Sequence, residues 1–255
     1  MPASPILPLT LPLLPSRQNL PRKAKAMRIA EIFHSIQGEG LLTGVPSVFI
    51  RTSGCNLRCD WCDTPYASWK PEGPEMSVEE ILMKLSEWNC DHVVLTGGEP
   101  MIASDLPELA TALKKQKKHI TIETAGTILP NGISCDLASL SPKLSNSTPS
   151  LERDPAWAKK HEATRLQPEV ISEWIRKYAF QLKFVVSSEN DLAEIKNLLS
   201  LLPSLPSDRI LLMPEGIDVK TLATRSPWLV EICKREGFRF CPRLQIDLFG
   251  HTRGT

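Results

Sequence analysis

A chain of 255 residues with 42% hydrophobic side chains can bury one large core or two small ones. A net charge of +1 offers no basic groove for nucleic acid, and no run of about eighteen apolar residues offers a membrane span. Seven cysteines, an odd number with three crowded together, fit a reducing cytoplasm rather than a disulfide-built secreted fold.

Residues 1–26 contain six prolines, which break helix and strand alike. They read as a disordered Pro-rich extension, or as translation from an upstream start. Arg17, Arg22, Lys23 and Lys25 meet no acid there, so the rest of the chain carries a charge of −3. The basic character would suit a targeting peptide, but the prolines interrupt the amphipathic helix such a peptide needs.

From Met27 the pattern alternates strand and helix and reads as one domain, 27–255. Residues 28–33 and 47–52 read as strands. Residues 77–89 read as a helix: Ser77 and Glu80 form a capping box, and Val78, Ile81, Leu82, Leu85 and Trp88 follow helical spacing. Strand 92–96, helix 104–118 and strand 119–124 follow. A short strand near 133–137 leads into an irregular polar stretch, 139–166. Helix 168–178, strand 181–186, helix 189–202, strand 209–213, helix 219–236 and strand 238–243 complete the series. Such alternation implies parallel pairing through right-handed crossovers. Six or seven units are too few for an eight-fold barrel, which leaves a partial, open barrel of about six parallel βα units, or an open doubly wound sheet.

Cys55, Cys59 and Cys62 place three thiols within eight residues, as C-x-x-x-C-x-x-C. A cubane iron–sulfur cluster takes one cysteine sulfur per iron, so three cysteines leave one iron open to a substrate or cofactor. A structural zinc knuckle would need a fourth ligand, which Cys90, Cys135, Cys233, Cys241 or a histidine could supply. Cys55 follows a strand and a Ser-Gly turn, at the strand end where parallel α/β folds carry their sites. Leu95-Thr96-Gly97-Gly98-Glu99-Pro100 closes the strand His92–Thr96. Its two glycines let backbone N–H and C=O groups approach a ligand closely, although a Gly-Gly turn alone is more often plain turn than site.

Together these two runs resemble the radical S-adenosylmethionine superfamily, with Trp61 as the aromatic residue before the last cysteine. The resemblance implies a radical SAM core carrying a 4Fe–4S cluster, whose open iron holds S-adenosylmethionine. Further runs narrow it: Phe33 to Gly40 (FHSIQGEG), Pro46 to Arg51, Cys62 to Ala67, Glu123-Thr124-Ala125-Gly126, Ser141 to Leu144, Gln181 to Val185 and Gly250 to Thr255. From about Met27 to Thr255 this series is similar to the 7-carboxy-7-deazaguanine synthase family, lyases of the route to queuosine and other 7-deazapurines. The resemblance implies a pterin substrate, 6-carboxy-5,6,7,8-tetrahydropterin, whose ring contracts with loss of ammonia. It assigns Ile36, Gln37, Gly38, Arg51, Thr96 and Thr255 to substrate, with Glu39 nearby. It assigns Thr64 to Mg²⁺, and Trp61, Cys62, Asp63, Gly98, Ser141, Pro142, Lys143, Gln181, Leu182, Lys183 and Phe184 to S-adenosylmethionine. It further implies an electron donor such as flavodoxin or ferredoxin and a homodimer; the charge and the lack of an apolar span add the expectation of no direct contact with nucleic acid or membrane.

Two alternatives stay open at this point. A glycyl-radical-activating enzyme shares the cysteine spacing, and a non-catalytic metal-binding module would share the cysteines alone. Residues 146–167 match no motif, and Cys90, Cys135, Cys233 and Cys241 read as small buried hydrophobes.

Overall fold

A computed structural model describes residues 26–255. The reading of 1–26 as an extension falls on residues that, up to residue 25, lie outside this range. Strands β1 (Met27–Ile36), β2 (Pro46–Thr52), β3 (Glu75–Met76), β4 (His92–Gly97), β5 (His119–Thr124), β6 (Leu137–Leu140), β7 (Phe180–Val186), β8 (Ile210–Pro214) and β9 (Arg239–Phe240) form one sheet. Its nine strands lie in the order β3-β1-β2-β4-β5-β6-β7-β8-β9. From β2 to β9 every pairing is parallel. The order never reverses along that run, so the sheet winds in one direction as a barrel does and has no switch point of the doubly wound kind. It ends at β3 and β9 without closing.

Helices α1 (Val78–Leu85), α2 (Leu106–Lys115), α3 (Pro155–Thr164), α4 (Pro168–Lys177), α5 (Asp191–Leu201), α6 (Val219–Glu236) and α7 (Leu244–Phe249) complete the fold. The Ser77–Glu80 capping box forms as read, and Val78, Ile81 and Leu85 turn inward from α1. The main core lies between the sheet and these helices. Ile50, Leu95, Ile122, Leu140, Leu182 and Phe184 from the strands meet Ile81, Leu109, Ile171, Trp174, Ile195 and Leu229 from the helices. A second, small cluster of Val185, Leu211, Met213 and Cys241 packs with Trp61.

The structure departs from the sequence reading in four places. β1 runs antiparallel to β2, because only residues 37–45 join them and a parallel crossover needs about a dozen residues or more. The strand expected at 133–137 lies at Leu137–Leu140, since the Asp136 carboxylate accepts the Ile120 N–H (2.9 Å) and pins the strand's entry. The strand expected at 238–243 ends at Phe240, and Pro242 lacks the N–H a ladder needs. The irregular stretch contains α3, which buries only Ala158 and His161 and so shows little helical periodicity; Asp154 at the N-cap and Pro155 after it were its start signal. No helix among the described residues is long and apolar enough to cross a membrane.

Candidate active site

A cavity of about 220 Å³ opens at the C-terminal ends of the parallel strands. Cys55, Cys59 and Cys62 line it, and so does Thr64. The cysteine loop is pinned from the β4 end: the Glu99 N–H donates to the Gly54 carbonyl (3.0 Å) and the Gly54 N–H to the Ala67 carbonyl (2.8 Å). Gly98 packs so closely on this loop that a Cβ there would sit 2.7 Å from Cys55 Cβ. Glu99 itself is fully buried and does not face the cavity. It accepts from Thr124 Oγ1 (2.8 Å), the Ala125 N–H (2.8 Å) and the Met101 N–H (3.1 Å), tying the ends of β4 and β5 together. Burial raises its pKa against these three donors.

No three His, Cys, Asp or Glu side chains among the described residues converge on a single ion. Three sulfurs that each take a different iron have no need to converge, whereas a zinc knuckle does. Burial pushes the Cys55 and Cys59 thiols up to about 12, so ligation expels their protons. Asn56 Oδ1 and Ser53 Oγ beside the loop, and Gln245 Oε1 on the cavity wall, are buried without a partner. Buried polar atoms are rarely left so, and of these Gln245, which lines the cavity, suits a site built to receive a polar group. The donor set fits a cluster with an adjacent polar ligand.

Two carboxylates organise the opposite wall. Glu123, near the end of β5, accepts from Gln37 Nε2 (3.1 Å) and Thr96 Oγ1 (2.9 Å), joining the ends of β4 and β5 to the residue that follows β1. Glu39 accepts from Arg243 Nε (3.1 Å), Gln245 Nε2 (2.8 Å) and Lys183 Nζ. Burial alone would raise the Glu39 carboxyl, but Lys183 and Arg243 outweigh it and hold it well below the usual carboxylate range. Arg243 also donates to Asp63 Oδ2 (2.5 Å) and to the Gly216 carbonyl (2.6 Å). Arg51 gives its Nε to Glu31 (2.6 Å), which leaves its terminal nitrogens for another acceptor. Glu31 also takes the Tyr66 hydroxyl (2.7 Å) and Arg253 Nε (3.3 Å). With His251 Nε2 2.9 Å from the Asp63 carbonyl, these contacts bring the chain's end over the site, and Thr255 lines the cavity.

Ile36, Gln37, Gly38, Arg51, Thr96 and Thr255 all meet in this one cavity with Trp61, Asp63, Gly98, Ser141, Lys143 and Lys183. Four expected residues do not line it. Leu182 and Phe184 are fully buried in the main core, because alternate residues of a strand point to opposite faces. Gln181 is spent on the Leu41 N–H (2.6 Å) and Ser139 Oγ (2.7 Å), and Pro142 is buried beside Ser141. Glu123 and Arg243 were not expected. Glu123 stood in a quoted motif, so its charge at a strand end was a usable signal; nothing local marked Arg243.

An inward-facing cysteine triplet and a Gly-Gly turn at the mouth of an open parallel half-barrel define the chain as a radical S-adenosylmethionine protein. The Radical SAM superfamily profile matches residues 49–139. The 7-carboxy-7-deazaguanine synthase of Rhodopirellula baltica is 48% identical over 231 residues, 90% of this chain and 89% of that one. That of Halobacterium salinarum is 42% identical over 234 residues, 88% of this chain and 91% of that one. The crystal structure of QueE from Escherichia coli superposes with a TM-score of 0.64 at 26% identity, covering 86% of this chain and 94% of that one. The chain belongs to the 7-carboxy-7-deazaguanine synthase family. The activating-enzyme and binding-module alternatives give way to this membership.

Proposed function

We propose that residues 27–255 work as a single catalytic domain that converts 6-carboxy-5,6,7,8-tetrahydropterin to 7-carboxy-7-deazaguanine with loss of ammonia. The observation that carries this reading is the shared cavity: the cysteine triplet and the residues assigned to the pterin line one space. Cys55, Cys59 and Cys62 would hold a 4Fe–4S cluster, and the backbone of Gly98 with the side chains of Ser141 and Lys143 would hold S-adenosylmethionine. When bound, cluster and cofactor together would supply the radical chemistry needed at C6 of the pterin.

The chain's own groups bind and orient the substrate. Arg51 offers its free guanidinium edge to the pterin carboxylate, and Glu31 keeps that edge in place. Gln37 and Glu123 together present donors and acceptors to the aminopyrimidinone edge, with Thr96 fixing Glu123. Thr64 would hold Mg²⁺ through its hydroxyl, and the ion would tether the substrate carboxylate near the cysteine loop. Thr255 and the Arg253 anchor exclude water from above. The cluster would take its electron from a donor such as flavodoxin or ferredoxin, and the protein would work as a cytoplasmic homodimer.

The test is an anaerobic reaction with reductant, S-adenosylmethionine, Mg²⁺ and the pterin acid, followed by mass spectrometry. The expected products are 5′-deoxyadenosine and 7-carboxy-7-deazaguanine. Deoxyadenosine without the deazapurine would reject the substrate and keep the superfamily chemistry.

A further inference from the structure

Residues Ser147 and His161, from the stretch 146–167 that no motif explains, grip the cysteine loop on both sides of Cys59. The Arg58 N–H donates to His161 Nδ1 (3.1 Å), and the Asp60 N–H donates to the Ser147 carbonyl (2.8 Å). His161 Nε2 lies 2.9 Å from Ser147 Oγ, and that hydroxyl donates to the Leu144 carbonyl (2.6 Å). These roles admit one tautomer: Nδ1 accepts from the loop and Nε2 carries the proton to Ser147. Both side chains are fully buried, at 0% exposure, and neither lines the cavity. Further out, Trp61 Nε1 donates to the Asn146 carbonyl (2.9 Å) and Arg153 donates to the Asp60 carbonyl (2.9 Å). The Cys59 carbonyl is itself held by Trp69 Nε1 (2.9 Å).

The geometry points to His161 as a positioning residue for the cluster: through the Arg58 amide it sets where Cys59 presents its sulfur. A hydrogen-bonded partner behind a ligand commonly tunes a metal site as much as the ligand's own surroundings do. Here the partner acts on the neighbouring peptide, because a cysteine has no second ring nitrogen to hold. This assignment rests on the reading that the cysteine loop carries a cluster.

Two variants separate the halves of the imidazole. In His161→Asn the amide oxygen takes the place of Nδ1, which keeps the bond to Arg58 and loses Ser147. In His161→Gln the amide nitrogen takes the place of Nε2, which keeps Ser147 and loses the loop. Amide hydrogen exchange over residues 55–62 is measured on cluster-free protein, and iron release to a ferrous chelator on anaerobically reconstituted protein, with melting temperatures for both. The expected result is roughly tenfold faster Arg58 exchange and iron release in His161→Gln, equivalent to about 1.4 kcal/mol, with His161→Asn near wild type. Equal Arg58 exchange in the two variants overturns the assignment, as does iron release that simply follows melting temperature. A wild-type protein that takes up no iron overturns the cluster reading, and the assignment with it, whatever the amide exchange shows.

Discussion

Replacing Gly98 by alanine tests how the Gly-Gly turn is coupled to the cysteine loop. The new Cβ would lie 2.3 Å from the Gly54 carbonyl oxygen, 2.6 Å from the Ala67 carbonyl oxygen and 2.7 Å from Cys55 Cβ, where ordinary contact begins at 3.4 Å. Something must therefore move by about 1 Å, and the two nearest obstacles are backbone carbonyls already held in hydrogen bonds. Overpacking of this kind costs about 1–3 kcal/mol, or a fall in melting temperature of roughly 2–12 °C for a domain of this size. The larger effect falls on chemistry, since a misplacement of about 1 Å at a reacting centre costs on the order of 100-fold. Calorimetry and the rate of 5′-deoxyadenosine formation measure the two effects. Gly132→Ala is the control: its φ of +68° imposes backbone strain, but nothing lies within 4 Å of the added methyl. A Gly98→Ala protein that melts and turns over like wild type would refute the coupling.

Four further outcomes follow from the same geometry. Glu39→Gln leaves Lys183 and Arg243 buried around a neutral amide, and urea denaturation should show a loss of about 3 kcal/mol; an unchanged midpoint would mean that the pairs contribute nothing. Burial, with Arg165 nearby, lowers the His161 pKa to about 4 from 6.5, so between those values the unfolded chain binds the proton first. The His161 contribution to stability is therefore complete above pH 6.5 and fades as the pH falls toward 4, and the gap in melting temperature between wild type and His161→Asn should narrow over that window; a constant gap would contradict it. Arg51→Lys removes the forked guanidinium and should lower kcat/KM for the pterin acid by roughly 10- to 100-fold, from the energy of a charge-assisted hydrogen bond; an unaltered kcat/KM would remove Arg51 from the substrate. Thr64→Ala should keep full iron content and weaken the response of turnover to Mg²⁺, and an identical Mg²⁺ titration would reject Thr64 as its ligand.

By itself the sequence determined whatever depends on neighbours along the chain. The cysteine spacing, the capping box at Ser77, the apolar strand runs and the Gly-Gly turn are local patterns; the capping box forms, and the cysteines and both glycines line the cavity. Motif order carried most of the cavity lining as well, from Ile36 to Thr255. What only the tertiary structure decided is the pairing of distant groups and the face each one occupies. Gln181, Leu182 and Phe184 share a motif with Lys183, yet strand alternation and a bond to Leu41 turn them away from the cavity that Lys183 enters. α3 escaped because a helix that buries two side chains leaves almost no periodic trace, although one of those two is the histidine that holds the Cys59 loop. Arg243 meets Glu39 across 204 residues of chain. The free energy of such a pair depends on the dielectric and the geometry that the closed fold creates around it, and neither exists until the sheet has formed.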